Sequence, residues 1–113
     1  MKTEWPDEVK EILSVGVPLT EIGVENWALM KVQALQALDK LEEIKVAILG
    51  GDVLSVKNNR IQYNYDNWYC NIEEHESDED FIIRSLDVAR KYICNYQCQG
   101  EEIVFAFVPK FFL

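Results

Sequence analysis

The sequence predicts an α+β fold, a small single domain in which two to three helices cover a mainly antiparallel sheet of three to four strands. Three observations predict this class. Apolar residues recur at helical spacing in separate segments, a hairpin signal lies between those segments, and two short runs are apolar at every position. With 113 residues and no repeat, low-complexity tract or flexible linker, residues 1–113 are predicted to form one domain.

Three segments predict helices. Trp5 to Leu13 has a proline as its second residue, which a first helical turn tolerates, followed by two acidic residues. Met30 to Ile44 has the clearest helical period, and Ser77 to Gln97 opens with a capping box formed by Ser77 and Asp80. Val24 to Leu29 fits either a strand or an early start of the second helix.

The helices have predicted apolar stripes and predicted surface pairs. Charged residues four apart on the last helix predict the ion pairs Asp80–Arg84 and Asp87–Lys91. The predicted stripes are Val9, Ile12 and Leu13 in the first helix, Val32, Leu35, Leu38 and Leu41 beside Ala34 and Ala37 in the second, and Ile82, Leu86, Ala89, Ile93 and Tyr96 in the third.

Two fully apolar runs predict strands that are central in the sheet or covered on both faces. These runs are Val46 to Leu49 and Ile103 to Val108, and Pro109 is predicted to end the second strand. Between them, Asn58-Asn59 predicts a two-residue hairpin turn.

The hairpin turn fixes a predicted register. Counting back from Asn58-Asn59 pairs Val56 with Ile61, Leu54 with Tyr63, and Asp52 with Tyr65. The alternation then changes phase between Tyr65 and Trp68, which predicts a bulge near Asp66-Asn67, with Gly50-Gly51 opposite to give the backbone freedom.

The net charge of −9 restricts the class of partner. A strongly acidic surface repels nucleic acid and anionic lipid and attracts basic protein surfaces, so neither nucleic acid nor a membrane is an expected partner. The sequence has no apolar run long enough to cross a bilayer, and its first eight residues lack the basic and apolar regions of a signal peptide. A cytoplasmic location is therefore expected.

Neither a metal site nor a catalytic site is predicted. Cys70, Cys94, Cys98 and His75 are residue types that bind zinc, but their spacing matches no zinc knuckle. An odd number of cysteines without a secretory signal fits reduced thiols. The single histidine lies in an acidic loop, which does not suggest a Cys-His enzyme. No cofactor is expected either.

The bent end of the predicted hairpin is the candidate binding site. Asp52, Tyr65, Asp66 and Trp68 gather carboxylates and aromatic rings there, and exposed aromatic residues dominate binding hot spots. Because Trp68 and Tyr69 are consecutive in a strand, they face opposite ways, and one of them should reach the surface. Three carboxylates of the acidic stretch that follows complete the predicted site as its rim, namely Glu73, Glu74 and Glu76.

Several motifs together resemble the immunity protein family 40 of bacterial polymorphic toxin systems. They extend over most of the chain, and the glycine turn with the Asn-Trp-Tyr triplet is their most specific part. The motifs are Trp27-Ala28-Leu29, Ala34-Leu35-x-Ala37-Leu38, Ile48-Leu49-Gly50-Gly51-Asp52-Val53, Asn67-Trp68-Tyr69 and Ser85-x-x-x-Ala89-x-x-Tyr92-Ile93.

The resemblance implies a cytoplasmic protein without catalytic activity that binds a cognate secreted toxin and blocks it. The acidic composition is compatible with a toxin that has a basic surface. Two other classes stay open: a small-molecule or peptide binding module, and a hydrolase using Asp52 with Asp66. The chain is expected to be a monomer or a weak homo-oligomer, and the terminal Phe111-Phe112-Leu113 fits either a folded-back tail or a contact between copies.

Overall fold

The computed structural model describes residues 5–112, and it confirms the predicted α+β class. Predictions that concern residues 1–4 and Leu113 lie outside this part of the chain. The described helices are α1 (Asp7–Leu13), α2 (Lys31–Glu43), α3 (Asp78–Asn95) and a short 3-10 helix (Thr20–Ile22). The described strands are β1 (Val17–Pro18), β2 (Trp27–Ala28), β3 (Ala47–Lys57), β4 (Arg60–Tyr69) and β5 (Glu102–Lys110).

The main sheet has three antiparallel strands in the order β4-β3-β5, and β1 and β2 form a separate two-stranded sheet. β3 is the central strand, as its apolar start predicts. β5 does not end before Pro109, because Pro109 pairs with Ile48 inside the strand. An edge strand tolerates proline, since its outer side needs no ladder hydrogen bond. Earlier in β5, Phe105 exchanges two 2.8 Å backbone hydrogen bonds with Leu29.

The hairpin register is confirmed near its turn and wrong beyond it. Asn58 and Asn59 have φ angles of 52° and 65°, as a type I′ turn requires, and the pairs Val56–Ile61 and Leu54–Tyr63 form. Asp52, however, pairs with Asn67 instead of Tyr65. The reason is a bulge at residues 64–66 of β4, where three residues lie opposite the single Val53 of β3.

Gly50 and Gly51 lie opposite Tyr69 and Trp68, so they do not face the bulge. They serve a close approach instead. A Cβ atom on Gly51 would overlap the six-membered ring of Trp68, and a Cβ atom on Gly50 would overlap the Trp68 carbonyl oxygen. The two glycines therefore let β4 and the indole of Trp68 pack directly against β3.

Two cores lie on opposite faces of the sheet. The helices cover one face, where Val53, Phe105 and Phe107 are buried. Residues 17–28 cover part of the other face with Leu19 and Ala28. The part of this second face that they leave bare is called the open face here, and it consists of Gly50, Asp52, Asn67, Tyr69 and Val108.

The helices begin and end close to their predicted bounds. In α2 the buried stripe is Ala34, Ala37, Leu38 and Leu41, whereas Val32 is 66% exposed and is not part of it. Ser77 Oγ accepts a 3.1 Å hydrogen bond from the Asp80 N–H, which is one half of the predicted capping box of α3, and among the described residues the return bond from the Asp80 side chain does not form.

Of the two predicted ion pairs on α3, Asp87–Lys91 forms at 2.9 Å and Asp80–Arg84 does not. Arg84 turns back toward Glu76 instead, which lies before the helix. After β5, Phe111 and Phe112 are half-buried against the main core, and Phe112 meets Phe81 edge-on at 6.2 Å. Over residues 5–112, no helix has the length and apolar character needed to span a bilayer.

Candidate functional site

The bulge of β4 presents one strained and exposed aromatic residue. Tyr65 has a φ angle of 70° and is 87% exposed. A left-handed backbone conformation costs free energy in a bulky residue such as tyrosine. Such conformations concentrate at functional sites, where the surrounding structure holds them in place. Tyr65 is therefore the first candidate contact residue of the site.

A hydrogen-bonded network around Tyr96, the residue that follows α3, holds this bulge. The Tyr96 hydroxyl donates to Asp66 Oδ2 at 2.6 Å and accepts from Asn64 Nδ2 at 2.8 Å. Asn64 Oδ1 in turn accepts from the Asp66 N–H at 2.9 Å. Burial, together with the hydrogen bond to Asp66, raises the pKa of Tyr96 to about 12, so the hydroxyl keeps its proton and the network stays closed at neutral pH.

Trp68 belongs to the core and does not face solvent. Its side chain is 8% exposed, stacks on Tyr92 with a centroid separation of 4.7 Å, and meets Phe107 edge-on at 6.1 Å. Its indole N–H has no hydrogen-bond partner among the described residues. The sequence predicts that one member of the Trp68-Tyr69 pair reaches the surface, and that member is Tyr69, which is 76% exposed.

The open face places Asp52 between Asn67 of β4 and Ala106 of β5. The Asp52 side chain is half-buried and, within residues 5–112, makes no hydrogen bond or ion pair. Beside it lies a shallow depression of about 200 Å³, lined by Leu49, Gly50, Gly51, Asp52, Asn67, Trp68, Tyr69 and Val108.

The acidic loop after β4 is organised by Arg84. The guanidinium contacts both carboxylate oxygens of Glu76, at 2.7 and 2.8 Å, and the Asn71 carbonyl oxygen at 2.6 Å. Glu76 also accepts the Glu73 N–H at 3.0 Å. The hydrogen bonds from Arg84, followed by that from Glu73, lower the pKa of Glu76 to about 2. Glu76 is therefore a structural anchor of the loop, while the side chains of Glu73 and Glu74 stay exposed.

The residues that suggested metal binding do not converge. Cys70 is buried beside Arg84, whereas Cys94 and Cys98 are exposed, and burial raises the pKa of the Cys70 thiol. Within residues 5–112, no three potential metal-ligating side chains form a cluster. Of the two carboxylates considered for hydrolysis, Asp66 accepts a hydrogen bond from the Tyr96 hydroxyl, and Asp52 lies on the open face.

The structure thus divides the predicted site residues into three groups. Tyr65 and Asp66 lie on the bulge, Asp52 lies on the open face at the pair next to the bulge, and Glu73 and Glu74 lie on the loop that follows β4. Trp68 and Glu76 support the site from inside. The predicted site omits two residues: Tyr69, which the sequence gives only as one of two candidates for the surface, and Tyr96, which it assigns to the apolar stripe of the last helix. For Tyr69 the signal was its alternation with Trp68, and for Tyr96 no local signal exists, because its partner Asp66 lies 30 residues away.

A broader groove runs along the end of α3, on the side where Tyr92 and Tyr96 pack. Its volume is about 540 Å³, within the range of small-molecule sites. It is lined by Val88, Lys91, Tyr92, Asn95, Tyr96 and Gln97.

Comparison with known proteins assigns the chain to a family. The model of the family described as Immunity protein 40 matches residues 18–109, which include the hairpin, the bulge, the acidic loop and α3. Searches with the chain find no match among curated proteins or among solved structures. Since the family match covers most of the sequence, this chain belongs to the immunity protein 40 family.

Proposed function

We propose that this chain is a cytoplasmic immunity protein that binds the toxin domain of a bacterial polymorphic toxin and neutralises it by protein–protein contact, without catalysis. The observation that carries the proposal is the family match over residues 18–109. The net charge of −9 supports a partner with a basic surface, because opposite charges speed association and select against acidic partners.

The proposed contact is centred on the bulge and the neighbouring open face. Tyr65 supplies an exposed ring whose backbone is already fixed, so little conformational entropy is lost when it binds. Asp52 and Asp66 supply the central carboxylates, and Glu73 and Glu74 form the acidic rim. Trp68 and Glu76 act indirectly, by holding β4 and the loop in place.

The proposal is tested with the toxin domain encoded by the neighbouring gene. The toxin is produced in a bacterial host with and without this chain, and the affinity of the purified pair is measured by titration calorimetry. Cells that produce the toxin should survive only when they also produce this chain. The dissociation constant of the purified pair should lie in the nanomolar range. A toxin that still kills in the presence of this chain would contradict the proposal.

The contact residues are tested by one combined variant and a matched control. The site variant replaces Asp52, Tyr65, Asp66, Glu73 and Glu74 by alanine, and the control replaces Glu8, Glu11, Glu43, Glu101 and Ile83. Each loses four carboxylates and one exposed apolar side chain. The site variant should bind at least a hundredfold more weakly while still melting cooperatively, whereas the control should keep its affinity. Equal binding by both folded variants would show that the contact lies elsewhere.

A second candidate function is binding of a small molecule or a peptide, and the 540 Å³ groove at the end of α3 favours it. A ligand that binds only the native state raises the melting temperature. Screening a metabolite library by thermal shift, with wild type and the Tyr92→Ala variant compared, tests this candidate. A compound that raises the melting temperature of wild type but not that of the Tyr92→Ala variant would support this candidate function.

A further inference from the structure

The open face is an uncovered part of an otherwise covered sheet. Tyr69 is 76% exposed and Val108 is 44% exposed, although Leu54 and Val104 on the same side of the sheet are buried under residues 17–28. Exposed rings and apolar side chains that share one surface with polar neighbours are typical of protein interaction sites. This face therefore has the composition of a docking surface.

Asp52 stands out among the carboxylates near this face because it has no partner. Asp66 accepts a hydrogen bond from Tyr96, and Glu76 is held by Arg84, but the half-buried Asp52 makes neither kind of contact within the described residues. Partial removal of a carboxylate from water costs free energy unless a donor or a cation replaces the lost water. A bound partner with a positive charge at this position would supply that compensation.

The depression beside Asp52 has the size of a side chain. Its volume of about 200 Å³ is below the range of about 300–1,000 Å³ that is usual for small-molecule sites. Gly50 contributes no side chain, and the exposed ring of Tyr69 borders the depression. The space next to the carboxylate is thus open to one long side chain from outside.

We infer that the open face receives an arginine side chain of the partner protein, with its guanidinium paired to Asp52 and stacked against Tyr69. Arginine fits better than lysine because its planar group makes two parallel hydrogen bonds to a carboxylate, stacks on aromatic rings and is weakly hydrated. The net charge of −9 draws such a basic partner toward the chain. The inference rests on the proposed function, since it takes the toxin domain as the partner.

The first test compares single variants on and off the open face. Asp52→Asn and Tyr69→Ala should each weaken binding of the toxin domain at least tenfold, with melting temperatures close to that of wild type. Glu43→Gln on α2 and Ile83→Ala on α3 are the controls, because they remove an exposed carboxylate and an exposed apolar side chain from the helical side of the molecule. The controls should bind within twofold of wild type.

The second test is a double-mutant cycle with the toxin. Each arginine of the toxin domain is replaced by glutamine, and every variant is titrated against wild type and against Asp52→Asn. Replacement of one particular toxin arginine should lower the affinity for the wild-type chain at least tenfold. The same replacement should have little further effect on the affinity for the Asp52→Asn protein. If wild type binds but no arginine couples to Asp52, the inference is wrong and the proposed function stands. If wild type does not bind the toxin domain at all, both are wrong.

Discussion

Tyr65 combines a strained backbone with an exposed aromatic ring. Its φ of 70° stores backbone strain of about 1–2 kcal/mol, and its ring packs against little of the molecule, being 87% exposed. Nothing in the fold alone explains a tyrosine there, since asparagine or glycine would adopt the same backbone at lower cost. The proposed contact with the toxin domain accounts for the exposed ring.

Replacing Tyr65 by asparagine should therefore stabilise the protein and weaken toxin binding. We expect the free energy of unfolding in urea to rise by about 0.5–1 kcal/mol, because asparagine tolerates the left-handed region, while the affinity for the toxin domain falls at least tenfold. Tyr63→Asn is the control, because Tyr63 lies in regular strand and the change should lower stability. A loss of stability in both variants would contradict the idea of strain at Tyr65.

Gly51 allows a second prediction at this scale. Its Cα lies under the ring of Trp68, so Gly51→Ala should lower the free energy of unfolding by about 1–3 kcal/mol through overpacking. In a Trp68→Leu background the ring is gone, so the same change should cost less, and the remaining cost should come from the Ala106 carbonyl oxygen, which would lie 2.5 Å from the added Cβ atom. Denaturant titration of the four proteins measures the coupling. An equal cost in both backgrounds would mean that the indole is not what excludes a side chain at Gly51.

At this scale the sequence predicts residue types at the site better than residue directions. It places Asp52, Tyr65, Asp66 and Trp68 near one end of the hairpin, but the direction of each side chain depends on where the bulge falls. The bulge lies at residues 64–66, slightly before the predicted Asp66-Asn67, so Asp52 pairs with Asn67. A shift of strand register changes which face a side chain occupies, and local sequence does not fix it.

The elements differ in how far the sequence predicts them. α2 and α3 are long and periodic, and their observed bounds lie within two residues of the prediction. The strand alternative for Val24 to Leu29 is confirmed by β2, but β1 and β2 have only two residues each, and the sequence does not predict that residues 17–28 cover the second sheet face. The Arg84–Glu76 contact was also missed, because it joins α3 to the loop before it.

The loop between β4 and α3 should respond to acid through Glu76. The pKa of Glu76 in the folded protein is about 2, below its ordinary value of 4.5, so its contribution to stability is complete above about pH 4.5 and is lost as the pH falls toward 2. The stability difference between wild type and Glu76→Gln should shrink over that interval in urea titrations. Glu74→Gln, which removes an exposed carboxylate of the same loop, should follow the wild-type pH dependence. A difference that is constant from pH 5 to pH 2 would contradict the role of Glu76.

The whole molecule combines an acidic surface with a rigid support for one end of its hairpin. The Trp68 ring of β4 stacks on Tyr92 of α3, and the Tyr96 ring, tilted by 47° against that of Tyr92, reaches the bulge through its hydroxyl. The family match places the chain in the immunity protein 40 family, which composition alone does not do. Charge and support together suit fast and specific binding of a basic partner.

Association with the toxin domain should accordingly depend on salt. Between about 20 and 500 mM ionic strength the Debye length falls severalfold, and we expect the association rate constant to fall about tenfold or more while the dissociation rate constant changes less. Stopped-flow or surface-based kinetics over this range measures both. An association rate constant that does not change with salt would contradict the claim that the net charge of −9 speeds association with the toxin domain.

The central claim is that the toxin covers the bulged end of the hairpin and the open face. Hydroxyl-radical footprinting with mass spectrometry, with and without saturating toxin domain, tests it directly. Tyr65 and Tyr69, which are exposed in the free chain, should lose most of their reactivity in the complex, while Met30 and Ile83, exposed on other parts of the surface, should keep theirs. Full protection of Met30 and Ile83 with unchanged labelling of Tyr65 and Tyr69 would contradict the account.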